Sequence, residues 1–171
     1  MIERAVINSG PLVGLSLAGR LDLLPVLFTE FWIPELVYNE VAVAGIGRPG
    51  ANALSDSRWA VHVQPSPEPD PLLVAELDPG EAAVITLARS LSPCLAVIDE
   101  KRGRKIARNV YDLHVKGTAG LFVEAHRRGL LDEVRPVLLD LRRAGYYLSD
   151  TVIDAACAAC KKGTGERDSH S

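Results

Sequence analysis

Two short, continuously apolar runs that each stop at a polar side chain constrain this fold more than any other feature. Ala5-Val6-Ile7 stops at Asn8, and Leu95-Ala96-Val97-Ile98 stops at Asp99. Runs so short and so uniformly apolar read as strands buried on both faces, the pattern of a parallel sheet covered by helices. The rest of the chain agrees. Strands are expected over 4–7, 29–33, 59–64, 94–98 and 112–115. Helices are expected over 12–18, 21–28, 34–44, 78–91, 100–110, 118–128, 132–144 and 149–161, with a further helical turn over 51–56. Four prolines between 65 and 71 make that stretch a loop. The segment 59–64 alternates Trp, Val and Val with Ala, His and Gln, as an edge strand does. Strands alternating with helices predict an α/β fold of three layers, with a mostly parallel central sheet flanked by helices. Residues 1–161 form one domain in this reading, and 162–171 a polar, disordered tail.

Composition narrows the partners. The 171 residues include 47% apolar side chains, enough for one substantial core. Nineteen Lys and Arg against 22 Asp and Glu leave a net charge of −3. A basic field over the whole surface is therefore excluded, and any nucleic-acid contact must use a local patch. Three cysteines are an odd set and suggest no disulfide framework, which fits a reducing cytoplasm. Met1-Ile2-Glu3-Arg4 has no signal-peptide pattern, and no apolar stretch approaches the ~18 residues of a membrane span.

The chemistry-bearing residues are acids. In open parallel sheets, functional groups gather beyond the carboxyl ends of the strands, where Asn8 and Asp99 stand. Glu40 follows Leu36 by four residues and Val37 by three, which puts a carboxylate on or beside an apolar helix stripe. Glu81 leads a face carrying Val84, Ile85 and Ala88. Each has a plainer reading. Asn8 would serve the turn before Gly10-Pro11, and Asp99 would cap the next helix. Glu40 would be a boundary residue. Asp78 and Glu81 form a capping-box pair around Pro79 at the first helical position. Carboxylates gathered at one sheet edge suit Mg²⁺ or Mn²⁺, which take hard oxygen ligands and promote phosphodiester cleavage. Lys101, Arg102, Arg104, Lys105 and Arg108 follow Asp99 closely and could hold the flanking phosphates; their plainer reading is a solvated helix face. Cys157-Ala-Ala-Cys160 has the spacing of a metal or redox pair, but no other ligand residue is close in sequence. The histidines show no ligand spacing, and Lys116-Gly117-Thr118 lacks the glycine loop of a phosphate-binding motif.

Ordered along the chain, several pieces resemble a PIN domain. They are Ala5-Val6-Ile7-Asn8-Ser9-Gly10-Pro11-Leu12, Gly19-Arg20-Leu21-Asp22-Leu23-Leu24, and Ile33-Pro34 with Val37 to Val41. Leu77-Asp78-Pro79-Gly80-Glu81-Ala82-Ala83, Val97-Ile98-Asp99-Glu100-Lys101-Arg102-Gly103-Arg104 and Lys116-Gly117-Thr118-Ala119-Gly120-Leu121 complete the set. The resemblance runs from about residue 4 to 155. It is closest to the bacterial and archaeal branch known as predicted nucleic-acid-binding proteins, relatives of the toxin ribonucleases of toxin–antitoxin pairs. It implies a Rossmann-like sheet and a Mg²⁺- or Mn²⁺-dependent ribonuclease. The family's four acids fall on Asn8, Glu40, Glu81 and Asp99, as metal ligands, with Glu40, Glu81 and Asp99 catalytic. Asn8, Glu100 and Thr118 support them, and Lys101, Arg102, Arg104 and Lys105 contact RNA. It also implies a small antitoxin protein and a second copy of the chain as partners. Asn8 departs from the pattern, since the family normally has aspartate there. That departure leaves open a weakened nuclease, or a protein that acts by binding RNA or a protein partner. A signalling receiver domain is a rival of another class. It also alternates strand and helix, but it needs an acid pair after its first strand.

Overall fold

The computed structural model describes residues 4–165, in two compact units that divide between Gly117 and Thr118. In the first unit, β1 (Arg4–Ile7) leads into α1 (Ser9–Leu17) and α2 (Leu23–Leu27). Next, β2 (Glu30–Pro34) runs into α3 (Glu35–Tyr38), which continues as a π-helical turn, Asn39–Val43. Short helices α4 (Ala51–Leu54) and α5 (Ser57–Ala60) precede β3 (Val63–Gln64). Helices α6 (Pro71–Glu76) and α7 (Pro79–Ser90) lead to β4 (Leu95–Val97), α8 (Lys101–Asn109) and β5 (His114–Lys116).

All five strands are parallel, in the order β3-β2-β1-β4-β5. Continuous apolar runs therefore go to the centre, as the sequence leads one to expect. Ala5, Val6 and Ile7 are fully buried, and they pair in register with Leu95, Ala96 and Val97. The order reverses direction between β1 and β4. In sheets of this kind that reversal opens a crevice beyond the carboxyl ends of the two strands. A receiver domain orders its strands 2-1-3-4-5, so the observed order removes that rival.

The second unit holds α9 (Thr118–Arg127), α10 (Val134–Arg143) and α11 (Asp150–Gly165), which pack on one another. Leu121, Phe122, Ala125, Leu138, Leu141 and Ile153 fill its interior.

Several expected boundaries move, for identifiable reasons. Residues 59 and 60 belong to a helical turn rather than an edge strand, and only Val63 and Gln64 pair. Asp56 accepts a hydrogen bond from the Arg58 amide at 3.1 Å and starts that turn, which buries Trp59 beside Phe31. Asp70-Pro71 opens a helix within what reads as a proline loop. It repeats the cap-then-proline pattern of Asp78-Pro79. Pro34 ends β2, where its missing N–H costs nothing, instead of starting the next helix. The last helix extends through Gly165, past the expected boundary at 161; the rest of the expected tail, 166–171, lies outside the described residues. Among the described residues no helix is long and apolar enough to cross a membrane.

Candidate active site

Asn8 is the first residue beyond β1. Its amide N–H still pairs with Val97 O, at 3.0 Å, so the strand ladder holds its backbone in place. The side chain does not cap α1, although Asn8 occupies the cap position. It is 5% exposed, and its Oδ1 has no hydrogen-bond partner. A buried carbonyl oxygen without a partner costs about 1–3 kcal/mol, so its orientation needs a reason beyond the turn.

Gly80 supplies the reason. A Cβ at this position would lie 3.2 Å from Glu40 Oε2, 3.3 Å from Asp78 Oδ1 and 3.6 Å from Asn8 Oδ1. Three side-chain oxygens thus converge over a bare backbone in the first turn of α7. Glycine there lowers helix propensity by about 1 kcal/mol relative to alanine, and the convergence explains its presence. Glu40 reaches this point from the π-helical turn. The residue as a whole is exposed, but its carboxylate leans over Gly80. Burial of that end, followed by the charge of Asp78, raises the Glu40 pKa.

Glu81 is 6% exposed. Its amide donates to Asp78 Oδ1 at 2.8 Å, which is one half of the capping box. Its carboxylate passes close to Gly103 of α8, where a Cβ would meet Glu81 Oε2 at 3.4 Å. Burial first, then the charges of Asp78 and Glu100, a hydrogen bond to Asp78 and the charge of Glu40 push its pKa from 4.5 to about 7. Asp78 was therefore missed as a site residue. Its capping role accounted fully for its place in the sequence, while the glycine two positions later was the available signal of crowding. Glu100 takes the cap position of α8, with no side-chain cap bond, and acts on Glu81 through its charge.

Asp99 lies just past β4 and does not cap α8. It is not among the charges that shift Glu81 or Glu40. Its Oδ1 instead sits against Gly117, where a Cβ would be only 2.7 Å away, so any other residue there would force the Asp99 carboxylate to shift. Arg104 holds the Asp99 carbonyl by a hydrogen bond, and its guanidinium is also close to Gly117. Arg102 pairs with Glu76, while Lys101 and Lys105 are exposed. Thr118 belongs to the second unit. It is fully buried at the start of α9, with Oγ1 3.3 Å from the Tyr146 hydroxyl.

Asn8, Glu40, Asp78 and Glu81 thus form one neighbourhood of oxygens beyond β1, with Glu100 at its edge and Asp99 on its own glycine. Among the described residues no three His, Cys, Asp or Glu side chains form a group that could hold a metal ion. The convergence at Gly80 differs from such a group, because its three oxygens are two carboxylates and one amide. It nevertheless fits a hard cation in kind: the oxygens are hard donors, Asn8 Oδ1 lacks a partner, and the carboxylates of Glu40, Asp78 and Glu81 repel one another.

A profile of the PIN domain matches residues 4–162, nearly the whole chain. No curated protein and no solved structure is significantly similar to it. The all-parallel sheet flanked by helices is consistent with an α/β PIN-like fold, and the chain belongs to the PIN-domain family.

Proposed function

We propose that this chain is a metal-dependent ribonuclease, with its site in the crevice between β1 and β4. The observation that carries the reading is the convergence of Asn8 Oδ1, Glu40 Oε2 and Asp78 Oδ1 over Gly80, with the Asn8 oxygen buried and unpartnered. Family membership makes a nuclease the natural expectation. Asn8, Glu40, Glu81 and Asp99 would hold Mg²⁺ or Mn²⁺, with Asp78 as a further donor. The chemistry such an ion supplies when bound is Lewis acidity and neutralisation of phosphodiester charge. Glu81, whose pKa is pushed to about 7 in the metal-free chain, would give up its proton on taking its place beside the ion, so metal binding would release protons near neutral pH. Lys101 and Lys105, exposed on α8, would hold the phosphates beside the scissile bond, with Arg102 and Arg104 behind them. A small antitoxin protein and a second copy of the chain are the partners this reading carries with it.

Changing Glu40→Gln, Glu81→Gln or Asp99→Asn should each lower Mn²⁺-dependent cleavage of a mixed-sequence RNA by about 10²-fold or more. Cleavage that continues in EDTA, or that ignores all three changes, would overturn the assignment. A second reading rests on Asn8 itself. Its amide brings no negative charge, so the site holds one acid fewer than the family pattern, which favours a protein that binds RNA or a protein partner and cleaves slowly.

A further inference from the structure

The first unit contains a cavity of about 620 Å³ that neither the ion nor the phosphate contacts use. Its lining includes Asn39, next in the chain to Glu40, and Pro79, which stands between Asp78 and Gly80. It therefore opens beside the oxygens that would hold the ion. Val74, Leu77 and the prolines of the 65–69 loop give it apolar walls, and the small, buried Ala82 and Ala83 of α7 line it too. The loop is anchored to α7 at two points. Ser66 Oγ donates to Ala83 O at 3.1 Å, and Arg89 donates to Asp70 Oδ2 at 2.8 Å. Proline at 65, 67 and 69 fixes the backbone further, so the cavity is held open before any ligand arrives. Among the described residues, no Lys or Arg lines it. Its charged groups are the carboxylates of Glu35 and Glu68, which are exposed and have no ion-pair partner among the described residues.

We propose that this cavity takes an unpaired base of the RNA beside the scissile bond, and that it selects an amino-bearing base over uracil. The proposal rests on the ribonuclease reading. A volume of this size lies within the range of small-ligand pockets, about 300–1,000 Å³, and apolar walls with a few polar groups are their usual lining. Single-stranded RNA is recognised in this way, with splayed bases that bury their faces and are read along their edges. The acidic rim decides which part of a nucleotide enters. It repels phosphate, which suits Lys101 and Lys105 of α8 instead, and it attracts the N–H donors of a neutral ring. Adenine, guanine and cytosine each carry an exocyclic amino group that donates to a carboxylate. Uracil has none. Its one N–H on that edge lies between two carbonyl oxygens, which the carboxylates of Glu35 and Glu68 repel. The Asn39 amide can both donate and accept, so it serves the remaining edge positions of any of the three favoured bases.

The test measures binding of labelled cytidine and uridine hexanucleotides to the full chain by fluorescence anisotropy, in EDTA so that neither is cleaved. The two rings match in size and differ at the edge in question. The cytidine hexamer should bind about tenfold tighter, the effect of one hydrogen bond to a charged acceptor. Glu35→Gln together with Glu68→Gln should bring the two within about twofold, because glutamine also donates to the uracil oxygens. The ratio is the readout, since loss of two negative charges favours both hexamers alike. Val74→Trp, at an exposed position, should fill the cavity and weaken the cytidine hexamer by about tenfold. Both variants should keep the melting temperature and the Mn²⁺ affinity of the unaltered chain. Equal binding of the two hexamers, or a preference that survives the double change, would overturn the proposal; equal binding is also the result if the cavity serves a protein partner. Preference for cytidine in EDTA without cleavage in Mn²⁺ would support the base site and remove the nuclease reading. Cleavage in Mn²⁺ by a chain that binds both hexamers alike would keep the nuclease and remove the base site.

Discussion

Glu81 carries its carboxyl into a place where burial and the charges of Asp78, Glu100 and Glu40 all oppose its ionisation. A carboxyl whose folded pKa exceeds its ordinary 4.5 costs stability once it must ionise. Below about pH 4.5 neither state is charged, and the cost is absent. Between 4.5 and about 7 the unfolded chain ionises first, and stability falls as pH rises. The full cost, on the order of 3 kcal/mol as an upper bound, is present above pH 7. Glu81→Gln should therefore raise the metal-free melting temperature more at pH 8 than at pH 5; an equal change at both would show that Glu81 is not strained. Gly80 makes a complementary case. Alanine should favour α7 by about 1 kcal/mol, yet its methyl group would fill the point shared by Glu40, Asp78 and Asn8. Gly80→Ala should keep or raise the melting temperature while weakening Mn²⁺ binding, and unchanged Mn²⁺ binding would count against a ligand at that point. The places of Asn8 and Asp99 just past strand ends, and of Glu40 and Glu81 in helical segments, were legible in the sequence because strands and helices have fixed periods. The second role of Asp78 was not, because it depends on the approach of the Glu40 turn from 38 residues upstream.

Among the elements, α8 carries five cations and no acid, and it meets the site through Gly103 and Arg104. Two of its cations already have protein partners: Arg102 pairs with Glu76, and Arg104 holds the Asp99 carbonyl. Lys101, Lys105 and Arg108 are exposed, and the two lysines stand on the turns nearer Asp99. Changing both to Gln should weaken RNA binding across sequences and reduce its salt dependence by about one phosphate contact for each lysine. Mn²⁺ affinity should stay the same. An unaltered salt slope would make α8 an ordinary solvated face. The buried strands and the long helices were readable from their apolar periods. The errors fell where local capping outweighed pattern, as at Asp56 and Pro71, and where a π-helical turn replaced the regular helix around Glu40. That turn has no sequence period of its own.

At the scale of the whole molecule, topology makes the site. Reversal of strand order between β1 and β4 leaves the crevice, where the Asn8 amide at the end of β1 meets the carboxylates of Glu40 from the π-helical turn and Asp78 before α7. Self-association is expected at a different surface. The apolar residues of α1 are largely spent in the core, since Pro11, Leu12 and Leu15 are buried. Leu36, Val43 and Ile46 remain exposed after β2. If a dimer forms there, light scattering should give twice the chain mass, and Leu36→Asp with Ile46→Asp should halve it; a monomer at micromolar concentration would remove this partner. The central claim is that a hard cation belongs among these oxygens, and that Asn8 limits how tightly it is held. A carboxylate in place of the Asn8 amide adds on the order of 1 kcal/mol of attraction to a divalent ion, even when partly screened, or several-fold to tenfold in affinity. Calorimetric titration with Mn²⁺ measures this directly. The account predicts weak binding to the unaltered chain and binding several-fold to tenfold tighter to Asn8→Asp, whereas no binding to either form, or equal affinity for both, would contradict it.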